Sequence, residues 1–243
     1  MSAIEARGLT KKYKSKSAVD GLDLKIEQGE LFALLGVNGA GKSTTIKLLS
    51  CLTKPTAGDA LLLGDSVVNA PQAVKQKINV SPQETAVAPN LSVRENLELI
   101  YGIYGHSREE ARKKTAGMID SFGMQEIAQQ KAKTLSGGWQ RRLSIAMALI
   151  SEPSILFLDE PTLGLDVIAR RELWKMIREL SGKITIILTT HYMEEAQSLA
   201  DRIGIMSKGK LMAQGTASEL IAESKTENFE DAFLYFVGKE ALL

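Results

Sequence analysis

Apolar and polar positions along the chain follow two periods. Ile4 and Ala6, then Leu22, Leu24 and Ile26, recur every second residue, which predicts short strands and turns over residues 3–35. Three runs, Leu31 to Leu35, Ile155 to Leu158 and Ile184 to Leu188, are apolar almost throughout and predict buried strands. Such a run suits a parallel sheet covered on both faces, as Ile155 to Leu158 illustrates. Shorter strands are expected at Ala60 to Leu63, from Ile78 to a stop at Pro82, at Arg202 to Met206 and at Leu211 to Gln214. Between them the period lengthens. Ser92-Val93-Arg94-Glu95 is a capping box, and Val93, Leu97, Ile100, Tyr101 and Tyr104 then share one helical face. That face is expected in the core, while Leu99 and Ile103 point elsewhere. Further helices are expected over Lys42 to Leu52, Arg108 to Phe122, Leu143 to Ile150 and about Val167 to Leu180. A short helix from Ala217 and an amphipathic segment, Phe229 to Val237, finish the chain and are expected to dock on the core.

Composition narrows the class. The chain has 243 residues, which suits one large domain or two small ones, and its 44% hydrophobic and 24% charged residues are ordinary for a globular protein. A net charge of +1 leaves no basic excess that would argue for nucleic acid as a partner. The single cysteine, Cys51, excludes an internal disulfide and is expected as a small core residue rather than a reactive thiol. No apolar run approaches the roughly 18 residues that cross a bilayer. The N-terminus lacks a signal-peptide pattern, so work at a membrane requires another chain to hold this one there.

The strongest chemical signal follows the Leu31 to Leu35 run. Gly36-Val37-Asn38-Gly39-Ala40-Gly41-Lys42-Ser43-Thr44 is a phosphate-binding loop leading into a helix. Its glycines free the backbone to wrap a polyphosphate with N–H groups inward. The helix start adds donors and a positive dipole end. Lys42 brings a charge to the outer phosphates, and the Ser43 hydroxyl can ligate Mg²⁺. A second signal closes the Ile155 run, which ends in Asp159-Glu160. Neighbouring strand residues face opposite sides, so the two carboxylates can divide the work. Asp159 can orient hydrated Mg²⁺ beside Ser43, and Glu160 can take a proton from an attacking water. His191 ends another strand on the same sheet edge. Three sites are ambiguous alone. Tyr13, among lysines, can stack on a base or simply pack its ring nearby. Gln83 can reach a metal or water, or be a loop residue. Ser136-Gly137-Gly138 can bind an anion at a helix start, or Ser136 can be an ordinary cap.

In sequence order these sites resemble the ATP-binding subunit of ATP-binding-cassette (ABC) transporters, over about Ile4 to Gly215. Leu135-Ser136-Gly137-Gly138, then Asp159-Glu160, then His191 carries the resemblance more specifically than the phosphate loop does. It implies an α/β fold: a P-loop NTPase core with a mainly parallel sheet, an N-terminal antiparallel β subdomain and an inserted α-helical subdomain. The single domain would divide into a core of residues 1–83 and 153–215, a helical subdomain of 84–152 and a C-terminal extension of 216–243. The implied nucleotide contacts are Tyr13, Val19, Gly36, Asn38, Gly39, Ala40, Gly41, Lys42, Ser43 and Thr44. Ser136, Gly137, Gly138 and Asp166 would serve the nucleotide of a second subunit. Glu160, His191, Gln83 and Lys42 take catalytic roles, and Ser43, Gln83 and Asp159 the metal. Trp139 stands where the family most often has Gln, and Val37 where Pro is frequent.

The resemblance further implies ATP and Mg²⁺ as ligands, hydrolysis of ATP, and an ATP-dependent dimer, homo- or heteromeric. Separate transmembrane permease subunits would hold the chain on the cytoplasmic face of the membrane. Tyr192-Met193-Glu194-Glu195-Ala196 and Asn228-Phe229-Glu230-Asp231-Ala232-Phe233 look like the ABC-2 drug-exporter branch. The alternative is a soluble ATPase of the same family without a transport role. About 90 residues separate Thr44 from Leu135, with no sustained heptads, which leaves no room for the long coiled coil of the DNA-repair types.

Overall fold

Alternating side chains give each strand of the first sheet one buried face. The computed structural model describes residues 1–14 and 16–238. Strands β1 (Ser2–Tyr13) and β2 (Lys16–Glu27) pair antiparallel, with Ile4 against Ile26 and Ala6 against Leu24. β4 (Ala57–Leu62) joins the free edge of β1, and β5 (Asp65–Ser66) extends it, giving the order β2-β1-β4-β5. The register of β1 against β2 shifts four times, as bulges turn the strands.

The second sheet is built from β3 (Leu31–Leu35), β6 (Ile78–Ser81), β7 (Ile155–Asp159), β8 (Thr185–Thr190), β9 (Arg202–Ser207) and β10 (Lys210–Gly215), ordered β10-β9-β3-β8-β7-β6. All its pairings are parallel except that of β9 with β10. Every residue of β3, β7 and β8 is buried, because both faces of the sheet are covered. Alternation splits β3 between two cores. Phe32 and Leu34 pack with β1, β2 and helix α1 (Lys42–Leu49). Leu31, Ala33 and Leu35 pack with helices α3 (Val93–Ile103), α5 (Gly137–Leu149) and α6 (Val167–Leu180). The registers Leu35 to Thr190 and Asp159 to Thr189 bring the carboxyl ends of β3, β7 and β8 to one edge. Crevices at such an edge are where α/β sheets bind ligands.

The remaining helices are α2 (Pro71–Lys77), α4 (Arg108–Ser121), α7 (Met193–Leu199), α8 (Ala217–Ser224) and α9 (Phe229–Gly238). Capping boxes start α3, α4 and α8, at Ser92, Ser107 and Thr216. α9 docks as expected, burying Phe229, Ala232, Phe233 and Phe236. Positions 239–243 of the C-terminal extension lie outside the described residues. Among the described residues no helix is long and apolar enough to cross a membrane.

Three local expectations need correction. α1 stops at Leu49 rather than Leu52, because Cys51 takes a left-handed φ of 57°. Cys51 is only partly buried, although burial raises its thiol pKa. Tyr104 is 49% exposed instead of in the core, since α3 ends before it and its hydroxyl accepts from the Asn79 side chain at 3.0 Å. Phe157, fully buried in β7, tests the layered core. Phe157→Ala should cost about 3–5 kcal/mol in chemical denaturation.

Candidate functional site

β3 ends at Leu35 and the chain turns through Gly36 to Gly41 before α1 begins. Neighbouring backbone crowds this turn. A Cβ on Gly41 (φ 107°) would lie 2.4 Å from the Ala18 carbonyl oxygen, and one on Gly36 would lie 2.5 Å from that of Met206. Only glycine fits at either place. α1 has no side-chain cap and no acidic residue in its first turn, so its leading N–H groups stay open to an anion.

The loop's side chains meet the ends of β7 and β8. Lys42 is buried, and its ammonium donates to the Gly36 carbonyl at 2.8 Å and lies 3.4 Å from Glu160 Oε1. His191 Nδ1 lies 2.9 Å from Glu160 Oε2. The Glu160 carboxylate is thus held between Lys42 and His191. Its backbone is left-handed, at φ 46°, and its N–H donates to Thr189 Oγ1 at 3.0 Å. Such a strained residue persists where its surroundings fix it, commonly at functional sites. Asp159 Oδ1 accepts from Ser43 Oγ at 3.1 Å and from Thr189 Oγ1 at 2.5 Å.

These groups border a cavity of about 610 Å³ lined by Tyr13, Asn38 to Thr44, Gln83, Glu160 and His191, with Lys16, Ala18 and Leu163. Tyr13 stands at its rim, 48% exposed, with Lys11 Nζ 5.2 Å from the ring centre. Val19 is not in it. That side chain is fully buried in the core, and its neighbour Ala18 lines the cavity instead, because strand alternation turns the two to opposite faces.

Ser136, Gly138 and Asp166 line a different cavity, of about 250 Å³, to which Gly137 does not contribute. Asp166 caps α6, accepting from the Ile168 and Ala169 amides at 2.9 Å each. Ser136 caps α5 more loosely, at 3.5 Å from the Trp139 amide. A Cβ on Gly138 would sit 3.0 Å from that of Ala169, so this glycine sets how closely the two helix starts approach. Trp139 lies under Arg142, 4.5 Å from ring centre to guanidinium, and Arg142 pairs with Glu172 at 3.1 Å. The predicted site residues therefore fall in two separate cavities.

Two buried charges escape a reading of the sequence. Arg141 donates to the backbone carbonyls of Pro82, Gln83, Asp159 and Pro161, joining the segment before Gln83 to the end of β7. Burial pulls its pKa down to about 10, against the Asp159 and Glu195 charges. Glu195, on α7, is fully buried. Burial raises its pKa, while the Thr190 and Thr162 hydroxyls, the Trp174 indole and the Arg170 charge pull it back. Helical charges of this kind read as solvated in a sequence, and only the assembled fold covers them.

The residues present fit Mg²⁺. A hydroxyl and a carboxylate 3.1 Å apart, with Gln83 lining the same cavity, are the sparse oxygen donors this ion takes when phosphates and water complete its shell.

Residues 19–163 match the family described as ABC transporter. The chain belongs to this family. Its sequence is 43% identical over 219 residues to the daunorubicin/doxorubicin resistance ATP-binding protein DrrA of Streptomyces peucetius, covering 90% of this chain and 66% of that one. It is 39% identical over 242 residues to the probable multidrug ABC transporter ATP-binding protein YbhF of Escherichia coli (strain K12), covering 97% of this chain and 42% of that one. The chain thus spans about two thirds or less of these two relatives. Among solved structures, the dimeric post-hydrolysis state of the ATP-binding cassette MJ0796 bound to ADP and Pi aligns with a TM-score of 0.78 at 27% identity, over 88% of this chain and 98% of that one. An ATP-binding subunit of an ABC transporter aligns with 0.84 at 26%, over 96% and 99%. The expected fold is thus met, and the chain carries the ATPase cassette of the ABC family.

Glu195 gives the cassette a pH signature. Its folded pKa lies above the ordinary 4.5, so the folded state holds a proton that the unfolded state has lost. That contribution is full at low pH and falls as pH rises through the raised value. Glu195→Gln cannot ionise. From about pH 4 upward its melting temperature should therefore rise relative to wild type, until the carboxyl is ionised in both states. A constant difference would mean that burial does not shift this carboxyl.

Proposed function

We propose that the chain is the ATP-hydrolysing subunit of an export-type ABC transporter, working as an ATP-dependent dimer beneath separate permease subunits. The observation that carries this reading is the separation of two helix starts, those of α1 and α5, into two cavities of one chain. Each cavity is half a site. Head-to-tail pairing of two subunits would set the phosphate loop of one against Ser136, Gly137, Gly138 and Asp166 of the other. The export direction is supported by the drug-resistance name of DrrA and by the name of a further relative, the Nod factor export ATP-binding protein I.

Within one half-site the geometry is compatible with the following roles. Tyr13 offers its exposed ring to the adenine, and the loop from Gly36 to Thr44, Asn38, Gly39 and Ala40 included, cradles the phosphates. Lys42 supplies charge to the outer phosphates. Ser43, Asp159 and Gln83 would hold Mg²⁺, which supplies charge neutralisation on the phosphates when bound. Glu160 accepts a proton from the attacking water. His191, bonded to the same carboxylate, fixes its direction toward the γ-phosphate, and Gln83 helps position the water. Closing and opening of the dimer would be passed to the permease near Gln83 and the helices of residues 84–134.

Light scattering with and without Mg-ATP tests the dimer. Glu160→Gln should bind ATP, shift from monomer to dimer and lose turnover by roughly 10²-fold or more. A variant that binds ATP yet stays monomeric would sink the two-cavity reading, and unchanged turnover would remove Glu160 from its role. Lys42→Ala should weaken ATP binding about tenfold to a hundredfold in equilibrium titration, as expected for a lost charge-assisted bond.

A further inference from the structure

Residues 161–166 connect the two cavities. The segment leaves Glu160, lines the first cavity with Leu163 and reaches the second at Asp166. It is held from two sides. Arg141 Nε donates to the Pro161 carbonyl at 2.8 Å. From the other side Glu195 Oε1 accepts from Thr162 Oγ1 at 2.8 Å and from Trp174 Nε1 at 3.0 Å. Thr162 and Glu195 are both fully buried. Glu195 sits on the first turn of α7, four residues beyond His191, while Trp174 sits on α6, which Asp166 caps. One oxygen therefore joins the connecting segment, the helix at the second cavity and the helix that follows His191. Tyr192 adds a parallel link, its ring tilted against that of His191 with centres 4.1 Å apart and lying 4.7 Å from the Arg170 guanidinium on α6.

The arrangement is costly for an element with no role beyond packing. Glu195 Oε2 is buried and makes no hydrogen bond of normal geometry, and Arg170 Nε is buried without a partner. An apolar side chain of similar volume would avoid the first cost. The charged and titratable groups that face Glu195 are Arg170 on α6 and Arg141 on α5. Burial holds its carboxyl toward the neutral form, in which the oxygen that Thr162 and Trp174 share still accepts.

We propose that Glu195 is a positioning residue for ATP hydrolysis, acting through Thr162 to fix the 161–166 segment between Glu160 and Asp166. It lines neither cavity. Its bond sets where the segment stands, and so how the site of one subunit registers against that of the other. This rests on the hydrolytic reading given above.

The test is a double-mutant cycle on the full chain, reading kcat, ATP affinity and melting temperature together. Glu195→Met and Thr162→Val should each lower kcat about tenfold while ATP affinity stays within about twofold. Glu195→Gln keeps an accepting oxygen and should stay within about twofold of wild type in kcat. The Met–Val double variant should be no slower than the slower single one, because both cut the same bond. Full-rate Thr162→Val, losses that multiply in the double variant, a Gln variant as slow as Met, or losses of kcat and affinity in equal measure would each overturn the proposal. Should Glu195→Met fail to fold, Thr162→Val reads the same bond from its other end. Glu160→Gln run alongside separates the two readings. If it hydrolyses ATP at the wild-type rate, the hydrolytic reading falls, whereas a dead Glu160→Gln beside full-rate Thr162→Val removes only the role of Glu195.

Discussion

The Asp159 carboxylate fastens the site together. It receives Ser43 from the phosphate loop at 3.1 Å and Thr189 from β8 at 2.5 Å, while its own backbone ends β7. Three elements far apart in sequence are thereby pinned at one point. The pin works because β3, β7 and β8 are buried along their whole length. A strand buried on both faces has no room for charge until it ends, so the polar chemistry collects at the carboxyl edge. Parallel registry then brings those ends level, and the positions of Asp159, Glu160, Thr189 and His191 follow from it.

Arg141 extends the pin in the other direction. It does not pair with a carboxylate side chain but donates to four main-chain carbonyls, including that of Asp159. A planar guanidinium has the donors for this, and a lysine does not. The consequence is mechanical. The backbone at Pro82 and Gln83, which leads into the helical region, cannot shift without disturbing the end of β7 or the start of the 161–166 segment. That makes α5 a member of the core as well as of the helical region, and it packs on β6 and β7 accordingly.

Much of this was legible in the residues, for a physical reason. Apolar runs report burial directly, so the central strands of the parallel sheet were readable within a residue or two. Glycines report backbone shape, and Gly36 and Gly41 are required by contacts under 3 Å. Tertiary contact was not legible. The expectation for Tyr104 failed because helical periodicity does not say where a helix stops. α2 was missed because it is seven residues long and buries only Val74. The resemblance put Val19 among the nucleotide contacts, whereas its side chain is buried in the core and Ala18 lines the cavity. Arg141 and Glu195 stayed hidden because their value lies in what covers them. Ser136 reads as a cap in one of its two readings and is one, and Asp166 caps a helix too. Their place in a second cavity appears only when α5 and α6 lie side by side.

The resting charges also bear on how the site starts its work. Lys42 and Glu160 lie 3.4 Å apart and both are buried. A buried charge without a partner is costly, so without a phosphate each needs the other. Phosphate oxygens compete for Lys42 with more charge and better geometry than one carboxylate offers. A nucleotide that draws Lys42 to itself leaves Glu160 bonded only to His191, with an oxygen released toward the cavity. On the hydrolytic reading proposed above, the carboxylate would then be free to accept a proton. Binding and activation would then be one electrostatic exchange centred on a single ammonium group.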